Sequence, residues 1–480
     1  MGQHHARQAV EEGVQLYHAR KHPEAIAKWC SALRRLKSPA ERFVALGYLT
    51  QAHGETGQYR DALVYALHQI DLANEADDAN MRAEAYLNLA RTNEKLSEFS
   101  KTISFGKHCL SHTSQDPRTP GYAHLSIAYA HLGLSEFSSS LESFERAMQV
   151  AHNAADRLLE LQVCVGLGCL FCQLKDTGKA GLFLDNAKKL LETIRIADVY
   201  AKYNALVDYH RSYLAVLNDD LELAEITCQD ALQISTSNGN RPVEARCLIR
   251  LGDIYRDTQQ TDKCWENYEN GYQLMLEIGD RYGQMLALSS MAKCAVRVKS
   301  PHLSQCECQA LEINKKCLDV AKGIGCKLIQ LKCHLRLERL YASLCDAENE
   351  RACEDAATRS VIAMELFCNF CGSPYGDADH SLQALPCSHI FHEHCLQDYV
   401  GSVRDRHSVR CPKCVAATTT TSSRRDVSSR SRSKSPHRSA TPLSAGGTLS
   451  PYQGRANPHA QLSQYNPPGT PTMPNAITDV

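Results

Sequence analysis

Along most of its length this chain repeats itself at intervals close to forty residues, and that period constrains its fold more than any other feature. A small side chain recurs at Ala25, Ala62, Thr102, Ser140, Ala180, Ala224 and Cys264, in steps of 37, 40, 38, 40, 44 and 40 residues. Four positions after each stands Trp29, Ala66, Gly106, Phe144, Leu184, Cys228 or Tyr268, and three positions later again Ala32, Gln69, Cys109, Ala147, Ala187, Ala231 or Gly271. Such offsets return to one face of an α-helix. Twelve residues upstream of each member lie Gly13, Thr50, Ala90, Ala128, Gly168, Ser212 and Gly252, the matching narrow position of a preceding helix. Small residues at these places let two helices approach closely. Similar turns punctuate the pattern: Gly239-Asn240-Arg241 and Gly279-Asp280-Arg281 lie forty residues apart, with Ala155-Asp156-Arg157 at a comparable place upstream. Helix pairs of this kind bury their apolar faces by stacking on one another, which leaves a curved groove. The Ala, Gly and aromatic residues named here are read as packing positions, and no groove residue is assigned to a ligand.

Seven units in register resemble the tetratricopeptide repeat, Gly-x-x-Tyr followed by Ala-x-x-x-Phe-x-x-Ala, with Gly252, Tyr255 and Tyr268 giving the nearest single match. The array is expected over residues 6–345, with repeats at 6–39, 43–76, 83–116, 121–154, 161–194, 205–238 and 245–278. An irregular unit at 285–345 follows, because Ala292 falls forty residues after Gly252 and the next helix resumes near Cys306 beyond Pro301. Leu328, Leu331, Leu335, Leu337 and Leu344 mark an amphipathic helix that either caps the stack, the preferred reading, or offers a partner surface, and a helical linker is expected at 347–366.

The sharpest chemical signal comes next: Cys368-x-x-Cys371, Cys387-Ser388-His389, His392-x-x-Cys395 and Cys411-Pro412-Lys413-Cys414. Eight soft or borderline ligands in four close pairs suit two closed tetrahedral zinc sites. A segment of about 47 residues holds little core of its own, so metal must supply much of its folding energy. Closed sites leave no coordination position for hydrolysis. His394 stands beside the ligands as a competing choice, with the spacing favouring His392.

This order resembles the RING finger with two histidines. The resemblance implies a cross-braced module over 368–414 in which Cys368, Cys371, His392 and Cys395 hold one zinc, and Cys387, His389, Cys411 and Cys414 the other. It also implies a docking surface for a ubiquitin-conjugating enzyme at Phe370, Tyr399 and Pro412. Many such domains place an Arg directly after the last ligand, to tighten the conjugating enzyme's thioester; here that residue is Val415.

Charge and composition narrow the partners. Lys plus Arg number 53 against 54 Asp plus Glu, so no global field draws the chain to nucleic acid, and none is expected as a partner. No run of about twenty apolar residues is present and Met1 to Arg7 lacks the apolar core of a secretory signal, so an intracellular protein is expected. Of 22 cysteines, those outside the zinc module fall mostly on apolar stripes and read as small buried hydrophobes. Residues 416–480, rich in Ser, Thr, Pro and Arg, are expected to be a disordered tail, with Ser435, Thr441, Ser450 and Thr470 each preceding Pro. At the other end, residues 1–5 form a lipid-anchor motif in which Gly2 can accept a myristoyl group once Met1 is removed, although Ala6 stands where Ser or Thr is usual.

Taken in this order, the parts resemble the rapsyn family over residues 1 to about 414. The specific stretches are Tyr86-Leu87-Asn88-Leu89-Ala90-Arg91, Asn93-Glu94-Lys95-Leu96 and Leu382-Gln383-Ala384-Leu385-Pro386-Cys387-Ser388-His389-Ile390-Phe391-His392. The expected fold is all-α, a tetratricopeptide superhelix followed by a small two-zinc RING finger and a disordered tail. The resemblance implies a myristoylated scaffold on the cytoplasmic face of the postsynaptic membrane. Such a scaffold self-associates, binds the intracellular loop of nicotinic acetylcholine receptors and links them to the cytoskeleton or to dystroglycan-type partners. The alternative is a RING-type ubiquitin or NEDD8 ligase whose repeats select substrate. A repeat protein that binds chaperone tails is weaker, because it leaves Gly2 and the zinc module without a role.

Overall fold

In the computed structural model the described residues are 2–112, 114–297, 303–364, 366–368, 370, 371, 373, 375, 382–384, 389–402 and 411. They belong to two compact units, the first running through Phe367 and the second opening at Cys368. The first is built of antiparallel helix pairs: α1 (Gly2–His18) with α2 (His22–Leu33), α3 (Pro39–Glu55) with α4 (Tyr59–Glu75), and α5 (Ala79–Lys95) with α6 (Phe99–Ser111). Then come α7 (Thr119–Gly133) with α8 (Phe137–Asn153), α9 (Arg157–Gln173) with α10 (Thr177–Leu191), and α11 (Ala197–Leu217) with α12 (Leu221–Ser237). The last are α13 (Arg241–Asp257) with α14 (Thr261–Ile278), α15 (Arg281–Arg297) with α16 (Leu303–Ile324), and α17 (Lys327–Ser343) with α18 (Ala347–Met364).

The narrow positions explain the pairing. Ala25, Ala62, Thr102, Ser140, Ala180, Ala224 and Cys264 are all completely buried. Where the first helix of a pair carries glycine, the second carries a bulky side chain against it. A Cβ on Gly13 would lie 2.3 Å from Trp29, one on Gly168 2.7 Å from Leu184, and one on Gly252 2.5 Å from Tyr268. Where the first helix carries Thr50, Ala90 or Ser212, the partner is Ala66, Gly106 or Cys228. Volume is thus shared within the glycine-bearing pairs and, elsewhere, with the next pair, as where a Cβ on Gly106 of α6 would lie 2.6 Å from Ile127 of α7.

The turns within pairs are equally regular. Among the described residues these turns are closed by a six-residue backbone hydrogen bond, such as Gln58 N to His53 O, Asp176 N to Phe171 O and Gln260 N to Tyr255 O. The residue before the donor lies at positive φ: Gly57 at 79°, Lys175 at 60° and Gln259 at 63°. This is the helix ending that satisfies orphaned carbonyls. Between pairs, Gly239, Gly279 and Ala155 take positive φ, and the next residue caps the following helix. Asp156 accepts from the amides of Leu158 and Leu159, and Asp280 from that of Gly283 at 2.9 Å.

Most described cysteines of the array serve as packing groups. Cys164, Cys172, Cys228, Cys247, Cys264 and Cys317 are buried. Cys169-Leu170-Phe171-Cys172 has the spacing of a redox pair, but burial pushes both thiols up, the opposite of what reactivity needs. No described helix is long and apolar enough to cross a membrane.

Candidate functional site

The second unit is organised by a short hairpin and a helix. Strand β1 (Leu382–Ala384) pairs antiparallel with β2 (Ile390–His392), in the register Leu382 to His392, Gln383 to Phe391 and Ala384 to Ile390. Helix α19 (Glu393–Ser402) follows at once. All three residues of β2 are buried, so this strand is the core of the module. His392 ends it, and Cys395 projects from the first turn of α19. The Cys368 to Cys371 turn is closed by the Cys368 amide donating to Ser373 O at 2.9 Å.

These elements bring Cys368, Cys371, His392 and Cys395 together, with their ligand atoms all within 4.8 Å of one another. Cys371 Sγ lies 3.3 Å from His392 Nδ1. A zinc held at about 2.3 Å from each sulfur spaces tetrahedral ligands about 3.8 Å apart, so the donor set fits that ion. Its electrostatics agree. Burial, then the neighbouring Cys368 and Cys371, push the Cys395 thiol well up; three crowded sulfurs cannot all ionise without a cation between them. These four residues would hold the metal, which would supply cross-linking rather than catalysis.

Of the second expected set, His389 and Cys411 are described and meet, with Nδ1 and Sγ 3.6 Å apart. Cys387 and Cys414 lie outside the described residues. So do Pro412 and Val415, while Phe370 and Tyr399 are placed side by side with ring centroids 5.0 Å apart. Phe391 completes the aromatic cluster at 5.1 Å from Phe370. Phe391 leaves only a faint trace in the sequence, the apolar pair Ile390-Phe391 leading into a ligand histidine. His394, the competing ligand, stacks on His392 at 5.5 Å with its Nε2 3.1 Å from Cys395 Sγ. It flanks the cluster.

At the other end of the chain Gly2 opens α1. Ala6 is 1% exposed and packs with Ala32, Leu36 and Ala45. Ala6, which stands where the acylation pattern usually has Ser or Thr, is therefore a packing position of the first pair.

Comparison with known proteins accords with both ends. A family profile described as the rapsyn N-terminal myristoylation and linker region matches residues 1–80, and a Ring finger domain profile matches residues 366–415. The "43 kDa receptor-associated protein of the synapse" of Tetronarce californica is 36% identical over 407 residues, covering 83% of this chain and 95% of that protein. The protein of the same name from Gallus gallus is 39% identical over 416 residues, covering 86% and 98%. Among solved structures, a Rap protein crystallised with competence and sporulation factor superposes with a TM-score of 0.51 at 14% identity, over 76% of this chain and 99% of that one. That likeness concerns the helical array alone.

Proposed function

We propose, because this chain belongs to the rapsyn family of 43 kDa receptor-associated proteins of the synapse, that it is a postsynaptic peripheral-membrane scaffold. It self-associates, clusters nicotinic acetylcholine receptors and links them to the cytoskeleton. The observation that carries this reading is similarity over nearly the full length of relatives bearing that name. Attachment comes from a myristoyl group on Gly2. One such chain binds a membrane only marginally, so the scaffold is held there by its receptor contacts as well. Co-expression with a receptor is expected to gather diffuse receptor into clusters, and Gly2→Ala to shift the protein from membrane to cytosol with a severalfold loss of clusters. Intact mass checks the acyl group. An N-terminus carrying only acetyl, with unchanged partitioning of the variant, rejects the anchor.

A second reading, the RING-type ligase for ubiquitin or NEDD8, is favoured by the contact between Phe370 and Tyr399. A RING ligase orients a charged conjugating enzyme and forms no bond to the modifier itself. Val415 cannot make the guanidinium hydrogen bonds an Arg would make to both partners, so activity should be weak. We expect Phe370→Ala to lower discharge of a loaded conjugating enzyme about tenfold and Val415→Arg to raise it, with clustering less sensitive to either. If Phe370→Ala keeps its zinc yet loses discharge and clustering together, the ligase becomes the better account.

A further inference from the structure

The five residues Leu96-Ser97-Glu98-Phe99-Ser100 recur 38 positions later as Leu134-Ser135-Glu136-Phe137-Ser138. They form the turns between α5 and α6 and between α7 and α8. In both, the serine has φ 63° and is buried, at 2% and 1% exposure. The turn itself does not require serine, because Lys175, Asp219 and Gln259 hold the same place in later turns and are exposed. Nor does the hydroxyl close it, since the backbone does so through Glu98 N to Asn93 O and Glu136 N to His131 O.

The hydroxyls act at a distance. Ser97 Oγ accepts the backbone N–H of Tyr282 at 2.8 Å, and Ser135 Oγ that of Leu328 at 3.0 Å, across sequence separations of 185 and 193. Both amides lie in the first turn of a helix, α15 and α17, where N–H groups have no partner within the helix. Each serine therefore caps a remote helix from outside. The next residue repeats the arrangement with charge: Glu98 faces Arg281 at 3.4 Å and Glu136 faces Lys327 at 3.1 Å. Apolar groups back the polar ones, for Phe99 and Ala130 share one core cluster with Met285, Leu288, Ile324 and Ile329. Nearer the N-terminus, Glu55 pairs with Lys202 at 2.7 Å, and a Cβ on Gly57 would lie 2.8 Å from Ile278.

We propose that the two Leu-Ser-Glu-Phe-Ser turns are clasps that close the helical array on itself and couple α5–α8 to α15–α17. An open solenoid is a sum of units that touch only their neighbours. A clasped one is not, and a partner seated on the late helices is felt by the early pairs.

Hydrogen exchange on the full-length protein tests this. In Ser97→Ala with Ser135→Ala, exchange at residues 281–288 and 327–334 is expected to rise about tenfold, while α9 and α10 keep their protection. Alanine tolerates the same backbone as serine, so the change isolates the hydroxyls. No change, or a rise confined to the two turns, overturns the proposal. Charge exchange supplies the second arm. Glu136→Lys and Lys327→Glu should each weaken protection of α17, and the combined variant should regain at least half of it. A combined variant as labile as the two losses added together also overturns it.

Discussion

Full-length protein is expected to carry two zinc ions, and His392→Ala or Cys395→Ser to lose at least one and unfold the Cys-rich unit while the array stays helical. The size of the effect follows from how little else holds that unit. Its described regular elements are two three-residue strands and a ten-residue helix, and its buried apolar groups include Ile390, Phe391, Leu396 and Leu382. Structural zinc contributes on the order of 10–16 kcal/mol to folding in small modules, more than such a core can replace. The four ligands come from three places: the Cys368 turn, the end of β2 and the first turn of α19. Losing one therefore releases three elements at once. The array has cores of its own, from Phe43 and Leu46 near the N-terminus to Leu337 and Cys353 near its end, so its far-ultraviolet dichroism should hardly move. Elemental analysis paired with that dichroism checks both statements. One zinc or none in undegraded wild-type protein removes the two-site reading, and a general loss of helicity in the variants shows that the module supports the array.

The array and the Cys368-x-x-Cys371 turn were legible because both are local patterns, whereas the grouping of that turn with His392 and Cys395 came from the resemblance to the RING finger. A four-residue spacing fixes a helix face, and Cys-x-x-Cys fixes a turn, whatever lies elsewhere in the chain. What escaped the sequence is non-local. Arg336 is 3% exposed, donating to Asn314 Oδ1 at 2.7 Å and Ser289 Oγ at 3.1 Å; a buried guanidinium held by neutral acceptors from two other helices leaves no trace in hydropathy. The recurrence of Leu-Ser-Glu-Phe-Ser is plain in the sequence, but its partners stand nearly two hundred residues away. Residues 327–364, expected as a cap and a linker, form an antiparallel pair like the others. Short side chains such as Cys353 and Ala357 on α18 gave no repeat signature, because the pattern there lacks the glycine and aromatic partners that mark earlier pairs.

Phe144→Ala is expected to be among the most damaging single changes within the array, costing about 3–5 kcal/mol as a buried aromatic deletion. Phe144 is completely buried on α8. Within its own pair it faces Ala128, which is not small enough to make all the room an aromatic ring needs. The room comes from the next pair, where a Cβ on Gly166 of α9 would lie 2.3 Å from the ring. Tyr129 meets the same ring edge to face at 5.3 Å, and its hydroxyl donates to Gln162 O at 3.1 Å. One side chain therefore fixes the α7 to α8 pairing and the seam to α9 together. Alanine would leave a void with rigid walls on both sides. Gly166→Ala should fail for the converse reason, since the added methyl meets an aromatic ring that cannot swing away, at about 1–3 kcal/mol for overpacking. The two changes share one space, so Phe144→Ala with Gly166→Ala should be more stable than the sum of the single losses, as neighbours in contact are not additive. Urea denaturation followed by helicity measures all three. A loss under about 1 kcal/mol in Phe144→Ala, or strict additivity in the pair, would mean the seam relaxes around the void. The clasps make a further distinction: a broken seam between α8 and α9 need not part the halves of the array, because α5–α8 remain tied to α15–α17. The exchange-protected amides of α15 and α17 should then outlast those of α9 as denaturant rises, an order that a linear stack would not give.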